Sequence, residues 1–545
     1  MPPSTINYQK KLWWLIGISV FAKILLSFFL ELGNDEVYYY TYALQLDWNH
    51  FDHPPMVGWL IRIFTFNLYW LSDLSMRLGS IVCAALTTIV IFESGTLLKN
   101  EKAGWIAALL YTLSIYTSII AGLFIMPDSP QLLFFTLSIY VMLNWVMKPH
   151  LFTLFGWVLL GLFIGLATLS KVHGLYLWVG FGLYIIFNQV ENLKEKNGYI
   201  AILVTLLCIV PIVYWNYQND FITYRFHSKR VMHTGISFSN FFTQVAGEFF
   251  YQNPLVYIAV VIALLRLSKV KFQAKSAKAI NLLLWLSLPL IFIFWAVSLF
   301  NATLPHWTGP AFIPLFLIAG VYWASYSRKF IPVLLKFAIG FMILLVIGFV
   351  GLVKFYPMQL GSEKLENLGE YNPINDVSGW AYFSETFKGI VEKDQLEGRM
   401  SKQAPIVVHK WFPGGHLLFY TAPKVNARII AIGALEDVHK FAWLNESQEG
   451  LKIGEDAYCI VPSNLPANPT ALYGPYFTSI EKPDTIPYMN KGVLLRNFYV
   501  YRLKGCKLIP ASILKPKKEE GSINKLKGRS KQKKGKSKQI KDKSK

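Results

Sequence analysis

The feature that most constrains this chain is a series of apolar runs, each near the length needed to cross a bilayer. They fall at 12–30, 76–98, 103–125, 131–147, 151–169, 174–190, 199–217, 254–268, 281–300, 309–325 and 331–353. A hydrocarbon core of ~30 Å takes about 20 helical residues, and helices satisfy their own backbone groups inside it. A soluble helix of this length carries polar residues along one face; most of these runs carry none. The sequence therefore predicts a polytopic α-helical membrane protein of about eleven spans, within a range of roughly ten to thirteen. The range reflects the short run 254–268 and the run 309–325, which Pro310 and Pro314 interrupt. Composition agrees: 16% of the 545 residues are charged, against roughly 25% in soluble domains. The first run follows Lys10 and Lys11, exceeds a signal-peptide core and has no small-residue cleavage site, so it reads as a retained anchor.

Basic residues set the predicted orientation. With the N-terminus inside, the inner segments hold fourteen basic residues, among them Lys10, Lys11, Lys99, Lys102 and Lys148, while the outer loops hold five: Arg62, Lys171, Arg225, Lys229 and Arg230. That bias places the N-terminus in the cytoplasm. An odd span count then places everything after about residue 355 outside the membrane, on the same side as the first outer loop, 31–75. The predicted domains are a membrane domain over 1–355, an extracytoplasmic α/β domain over 356–510 and a Lys-rich tail over 511–545. In the second domain, β-rich segments at 405–409, 427–432, 457–462 and 493–503 alternate with helical or loop stretches at 414–421 and 434–443. Residues 515–545 hold fourteen basic and three acidic residues, a net +11 of the chain's +21. Such a tail is predicted to be disordered and to lie along anionic lipid or polysaccharide rather than nucleic acid. Cys83 and Cys208 lie in spans; Cys459 and Cys506 have the option of pairing outside.

The first outer loop is too long for a turn. Its aromatic stretches, 35–46 with Tyr38, Tyr39, Tyr40 and Tyr42, and 55–70 with Trp59, Phe64, Phe66, Tyr69 and Trp70, suit helices lying in the headgroup zone. At its start, Asp35 and Glu36 fit two readings: acids in the first turn of a helix, or a catalytic pair whose pKa is raised at the water–lipid boundary toward general-base range. The segment 47–55, with Asp47, His50, Asp52, His53, Pro54 and Pro55, fits a metal or substrate pocket or a rigid turn capping the next helix. Asp128, between Pro127 and Ser129-Pro130, fits an N-cap for the span at 131–147 or a site carboxylate. Lys171 and His173, in a tight outer turn, either snorkel or join Arg225, Lys229, Arg230 and His306 as a cationic cradle for a phosphate. The fourth outer loop, 218–253, carries several of these, and His233.

An outward carboxylate beside phosphate-binding cations suits transfer of a sugar from a lipid-phosphate donor, where the protein supplies a base for the acceptor and cations for the leaving phosphate. A transporter or flippase for a lipid-linked saccharide is the alternative class. It would place ionisable groups near the bilayer midplane, where this chain shows few; Lys23, Glu93 and Lys354 are isolated or near span ends. A third reading is a binding or scaffold protein whose acidic loop only caps helices.

Residues 35–39, then Leu46-Asp47-Trp48, then 51–57 with Trp59 through Arg62, closely resemble the first outer loop of bacterial glycosyltransferase family 39 proteins. This is the GT-C group that includes protein O-mannosyltransferases and lipid A aminoarabinose transferases. Pro127 through Pro130, Leu169-Ser170-Lys171 and Pro305-His306-Trp307 extend the resemblance over about residues 10–325. It implies the GT-C fold and a polyprenyl-phosphate-sugar donor. It further implies inverting transfer at the outer face of the cell inner membrane to a lipid A, glycan or protein acceptor. By that match Asp35 is the base and Glu36 supports it, Asp128 is the second acidic position, and Lys171 contacts the donor phosphate. Asp52, His53, His306 and Arg230 are carried over as further substrate-binding positions. Family members differ over metal dependence, so no metal ligand is assigned and a divalent ion stays open. The Lys-rich tail is not part of the family pattern.

Overall fold

The computed structural model describes residues 6–231, 235–327, 329–356 and 360–514, with the side chains of 229–231 excepted. The Lys-rich stretch 515–545, His233 and Arg328 lie outside the described residues.

All eleven apolar runs are helical. In chain order the helices of the membrane domain are α1 (Tyr8–Ser27), α2 (Asn34–Leu44), α3 (Met56–Phe64), α4 (Asp73–Leu98), α5 (Glu101–Leu113), α6 (Asp128–Met147), α7 (Leu154–Ser170), α8 (Tyr176–Asn188), α9 (Lys196–Gln218), α10 (Ile222–Val231), α11 (Phe238–Tyr251), α12 (Pro254–Leu265), α13 (Ala274–Trp285), α14 (Leu288–Ser298), α15 (Phe312–Tyr326) and α16 (Val333–Phe355). Among the described residues, six helical segments are long and apolar enough to cross a membrane alone: α4, α6, α9, the joined α13–α14, α15 with the turn before it, and α16. The pair α11–α12 makes a seventh, bent by 99°. Fewer segments thus pass alone than the about eleven expected, and local chemistry shows where the apolar runs break.

At the α11–α12 bend, Asn253 adopts φ 62° and caps the amide of Leu255, and Pro254, which has no N–H to give, opens α12. The run 103–125 breaks at Ser114, whose backbone is extended, and resumes as a π-helical turn over Tyr116–Ile120. Such turns replace the regular ladder where a side chain has to be re-aimed, often at functional sites; here the side chain is that of Tyr116. Gly309 permits this arrangement, because a Cβ there would sit 2.1 Å from the Tyr116 ring.

Beyond α16 lies a separate unit. Helix α17 (Trp380–Leu396) precedes a six-stranded mixed sheet of β1 (Ile406–Val408), β2 (Ile429–Ala431), β3 (Ala457–Pro462), β4 (Phe477–Ile480), β5 (Asp484–Asn490) and β6 (Val493–Cys506), in the order β2-β1-β3-β6-β4 with β5 also on β6. β1 pairs parallel with β2 and β3; the rest is antiparallel about the long β6. Cys459 and Cys506 are both unpaired thiols. Cys459 faces Tyr501 across the β3–β6 ladder, so Cys506 lies five residues along the strand. At about 3.4 Å per residue that exceeds disulfide reach.

The two units share one apolar core. Tyr38, Tyr39, Tyr40 and Tyr42 of α2 are buried together with Trp380, Phe383, Phe441 and Phe498 of the C-terminal unit. The first aromatic stretch is therefore not laid open as a surface belt, as its composition suggested; the C-terminal unit covers it. The second keeps its exposed aromatics, Phe66, Tyr69 and Trp70. Gly415 lets the segment after β1 approach α2 closely, since a Cβ there would meet Val37 at 2.9 Å. Polar contacts bind the same interface. The Glu31 carboxylate accepts from the amides of Trp380 (2.8 Å) and Ala381 (3.2 Å). Asn34 donates to Asp376 at 2.5 Å, and its Oδ1 lies 2.8 Å from His416 Nε2.

A candidate active site at the foot of the first outer loop

Helix α2 opens with Gly33 as N-cap and Asn34, Asp35 and Glu36 in its first turn. Adjacent residues on a helix point about 100° apart, so neighbouring acids face different surroundings. Glu36 turns inward. Its carboxylate accepts from Arg77 Nε at 2.8 Å and Nη2 at 2.6 Å, from the Ile125 amide at 3.1 Å and from the Gly33 amide at 2.9 Å. Arg77, fully buried in α4, gives two further hydrogens to the carbonyls of Leu30 and Glu31, each at 2.8 Å. Glu36 thus ties α2, α4 and the loop before α6 into one network and has no lone pair directed elsewhere.

Asp35 turns the other way. Its side chain is exposed to solvent, yet protein surrounds it closely enough that burial, followed by the charges of Asp52, Asp376, Glu36 and Asp128, raises its carboxyl pKa to about 6. Among the described residues this carboxylate accepts no hydrogen bond and forms no ion pair. A raised, unpartnered, water-reachable carboxylate is poised to take a proton near neutral pH.

Asp128, one of the charges that act on it, is held differently. It is the first residue of α6, but Pro127 occupies the N-cap position and the Asp128 side chain caps nothing. Instead both its oxygens accept from Lys171 Nζ, at 2.9 and 2.8 Å, and one accepts from the Tyr116 hydroxyl at 2.7 Å. Lys171 closes α7, and its pairing with Asp128 leaves one ammonium hydrogen over. His306, in the 3-10 turn Pro305–Ala311, stacks at 6.4 Å on Tyr116 and lies within electrostatic range of Lys171, Asp128 and His53.

The turn 47–55 forms the third side. Asp52 accepts from the hydroxyls of Tyr38 (2.7 Å) and Tyr42 (2.5 Å). Burial would raise its pKa, but His53, His439 and the two hydroxyls outweigh this and hold it below the ordinary range. Burial pushes His53 down to about 4, so its ring is neutral at pH 7. Asp47 accepts from Trp215 Nε1 at 2.7 Å, and His50 stacks on Tyr42 at 3.7 Å, so these two brace the turn. α10 packs across it: His227 Nε2 lies 2.8 Å from the Asp52 carbonyl, and the Thr223 hydroxyl donates to the His50 carbonyl at 3.0 Å.

Of the cradle expected from Lys171, His173, Arg225, Lys229, Arg230 and His306, Lys171, His173 and His306 come within electrostatic range of one another and of His53. Arg225 does not; it lines a different cavity, of about 680 Å³, with Gln45, Trp443 and Glu446. Lys229 and Arg230 lie in the last turn of α10, and their side chains lie outside the described residues. Among the described residues, no three His, Cys, Asp or Glu side chains are grouped to hold a metal ion. Sequence reasoning passed over Arg77 and Tyr116. Arg77 had a signal, a charge within the apolar run 76–98; Tyr116 had none, since only the π-turn reveals its aim.

Comparison with known proteins follows this geometry. Residues 52–215 match the dolichyl-phosphate-mannose-protein mannosyltransferase family, a stretch that includes Asp52, His53, Asp128 and Lys171 and leaves out Asp35. The chain is 22% identical over 324 residues to the lipid A galacturonosyltransferase RgtD of Rhizobium johnstonii, covering 58% of this chain and 65% of that protein. It is 24% identical over 336 residues to the undecaprenyl phosphate-alpha-4-amino-4-deoxy-L-arabinose arabinosyl transferase 2 of Proteus mirabilis, covering 58% of each. The chain thus spans less than two thirds of the length of either relative. The fold matches that of ArnT from Cupriavidus metallidurans with a TM-score of 0.61 at 14% identity, covering 91% of this chain and 98% of that one. The same ArnT bound to undecaprenyl phosphate matches with a TM-score of 0.61 at 13% identity, covering 90% and 98%.

Proposed function

Taking a chain that resembles the family 39 glycosyltransferases and has the GT-C fold, we propose that it moves a sugar from a polyprenyl-phosphate donor to an envelope acceptor, with Asp35 as general base. The single observation that carries this reading is the Asp35 carboxylate. Among the described residues it has no partner and its pKa is raised to about 6, while Glu36, Asp128, Asp52 and Asp376 beside it are engaged.

In this mechanism the donor enters from the bilayer with its phosphate against the remaining Lys171 hydrogen, flanked by His53 and His306. The acceptor hydroxyl, or a phosphate oxygen of the acceptor, sits on Asp35. As the acceptor oxygen bonds to the anomeric carbon, its proton passes to the Asp35 carboxylate. The bond from that carbon to the donor phosphate oxygen breaks, its electron pair leaving with the phosphate. One displacement from the face opposite the phosphate inverts the anomeric centre. Asp128 fixes the Lys171 ammonium in place, and Glu36 with Arg77 holds the first turn of α2 so that Asp35 keeps its aim. Asp52 orients Tyr38 and Tyr42.

The same reading has the eleven apolar helical runs lying within the membrane, the N-terminus in the cytoplasm and the C-terminal unit outside. The contacts of Glu31 and Asn34 with Trp380 and Asp376 support it, because they put the end of α1 and the sheet domain on one side. That domain, seated over α2, then helps to select the acceptor. Lipid A, the acceptor in the name of the relative RgtD, is the acceptor this reading favours.

The test is transfer by the purified full chain from a synthetic polyprenyl-phosphate sugar to lipid A, followed by mass spectrometry. Product formation is expected; flux of donor across liposomes without product would favour a transporter instead. The rate should rise with pH through a midpoint near 6 as Asp35 loses its proton. A profile flat between about pH 5 and 8 would remove Asp35 as the base. For Lys171→Met, loss of a charge-assisted contact to the donor phosphate should raise the donor KM by about tenfold or more. Pairing it with Asp128→Asn should recover stability lost by stranding the carboxylate, without recovering KM; recovery of both would show Lys171 to be structural only.

A further inference from the structure

Away from the site, a groove of about 450 Å³ runs between α1, α5 and α16. Its walls are apolar, with Trp14, Leu15 and Ile18 from α1, Leu109 from α5, and Met342 and Ile343 from α16. Lys23 of α1 also lines it, with its side chain only 6% exposed. Its ammonium abuts Gly122, where a Cβ would lie 2.8 Å from Nζ. Among the described residues that ammonium has no hydrogen-bond or ion-pair partner.

Burying a charge without a partner is costly, and a lysine near a helix end ordinarily snorkels to water. Lys23 sits one turn inside the end of α1 and instead lines the groove with its ammonium drawn in against Gly122. A partner from outside the chain resolves this, and the groove's chemistry specifies it: one anionic group at the Lys23 end, and an apolar chain along the rest. From Lys23 the groove continues to Lys11, twelve residues along α1, or about 18 Å at the helical rise, comparable with an extended acyl chain. Lys11 itself lies 5.7 Å over the Phe330 ring.

We propose that this groove holds one anionic phospholipid from the surrounding bilayer, its phosphate on Lys23 and one acyl chain between α1 and α16. The site is separate from the donor position at Lys171 yet linked to it through the π-turn at 116–120. Ser118 and Ile119 of that turn line the groove, while Tyr116 holds Asp128.

The experiment is lipid retention by the full chain in detergent, read by native mass spectrometry, with phosphatidylglycerol as the probe and thermal unfolding alongside. The native chain should keep one phosphatidylglycerol, and adding that lipid should raise its Tm. Lys23→Met should bind it at least tenfold more weakly and lose the Tm response, while Lys23→Arg keeps both. Ile343→Trp fills the groove from the exposed face of α16 and leaves Lys23 intact. It should lose the lipid too, and it decides the matter if Lys23→Met does not fold. Equal retention by the native chain, Lys23→Met and Ile343→Trp would overturn the proposal. So would stoichiometric displacement of phosphatidylglycerol by undecaprenyl phosphate, which would make the groove the donor's own.

Discussion

Replacing Asp35 with Asn is expected to lower sugar transfer by roughly 10²–10⁴-fold, the usual contribution of a positioned general base, while leaving the fold intact. The two halves of that expectation come from one observation. Asp35 is exposed and its carboxylate has no protein partner among the described residues, so the isosteric amide strands no donor and opens no cavity. Surface changes of that kind usually fall within about 0.5 kcal/mol. A melting curve matching the native chain, together with a donor KM changed little and a collapsed kcat, would mark a group needed in the transition state. Transfer close to the native rate would end the assignment. Glu36→Gln makes the contrast. It weakens a carboxylate with four hydrogen bonds, two of them from Arg77, so it should lower stability first and activity as a consequence.

Much of this site was legible in the order of residues, and the limits have physical causes. The eleven apolar runs were visible because helices that must satisfy their own backbone in lipid leave long unbroken hydropathy. Where that backbone is re-aimed, at Ser114 and at Asn253-Pro254, the sequence shows only a polar residue or a proline inside an apolar stretch. Asp35, Asp128 and Lys171 stood out because ionisable groups are scarce at span ends. The distinction between Asp35 and Glu36 was not accessible, because two adjacent acids in a first helical turn differ only in the direction each faces. It takes the position of Arg77, on a helix forty-one residues away, to make one structural and leave the other open. The aromatic stretch 35–46 misled for a related reason. Tyrosines suit a headgroup zone and a protein interface equally, and only the seating of Trp380, Phe441 and Phe498 against them decides. In the C-terminal unit β1, β2, β3 and β6 were anticipated, but β4 and β5 were not. β4 and β5 leave much of their length exposed, so their sequences lack the continuous apolar signature of a buried strand.

Arg77→Met should then be the most destabilising single change in the membrane domain. The guanidinium is fully buried and makes two bonds to Glu36 and two to backbone carbonyls. Without it the Glu36 carboxylate keeps only the amides of Gly33 and Ile125, and the Leu30 and Glu31 carbonyls lose the donor that Arg77 gave them. Removing one partner of a buried ion pair costs about 3–5 kcal/mol, whereas replacing both can be close to neutral. The double variant Arg77→Met/Glu36→Gln should therefore melt well above Arg77→Met alone. Equal melting of Arg77→Met and the native chain would show the pair to be dispensable. A purely structural role would leave the pH dependence of transfer where it was. The double variant also tests the field at Asp35, because the Glu36 charge is one of those that raise the Asp35 pKa. With Gln at position 36 that charge is gone, so the midpoint of the surviving activity should move below 6, toward the ordinary carboxylate range. Because the fold is largely restored in that variant, the shift separates the electrostatic effect from the loss of structure.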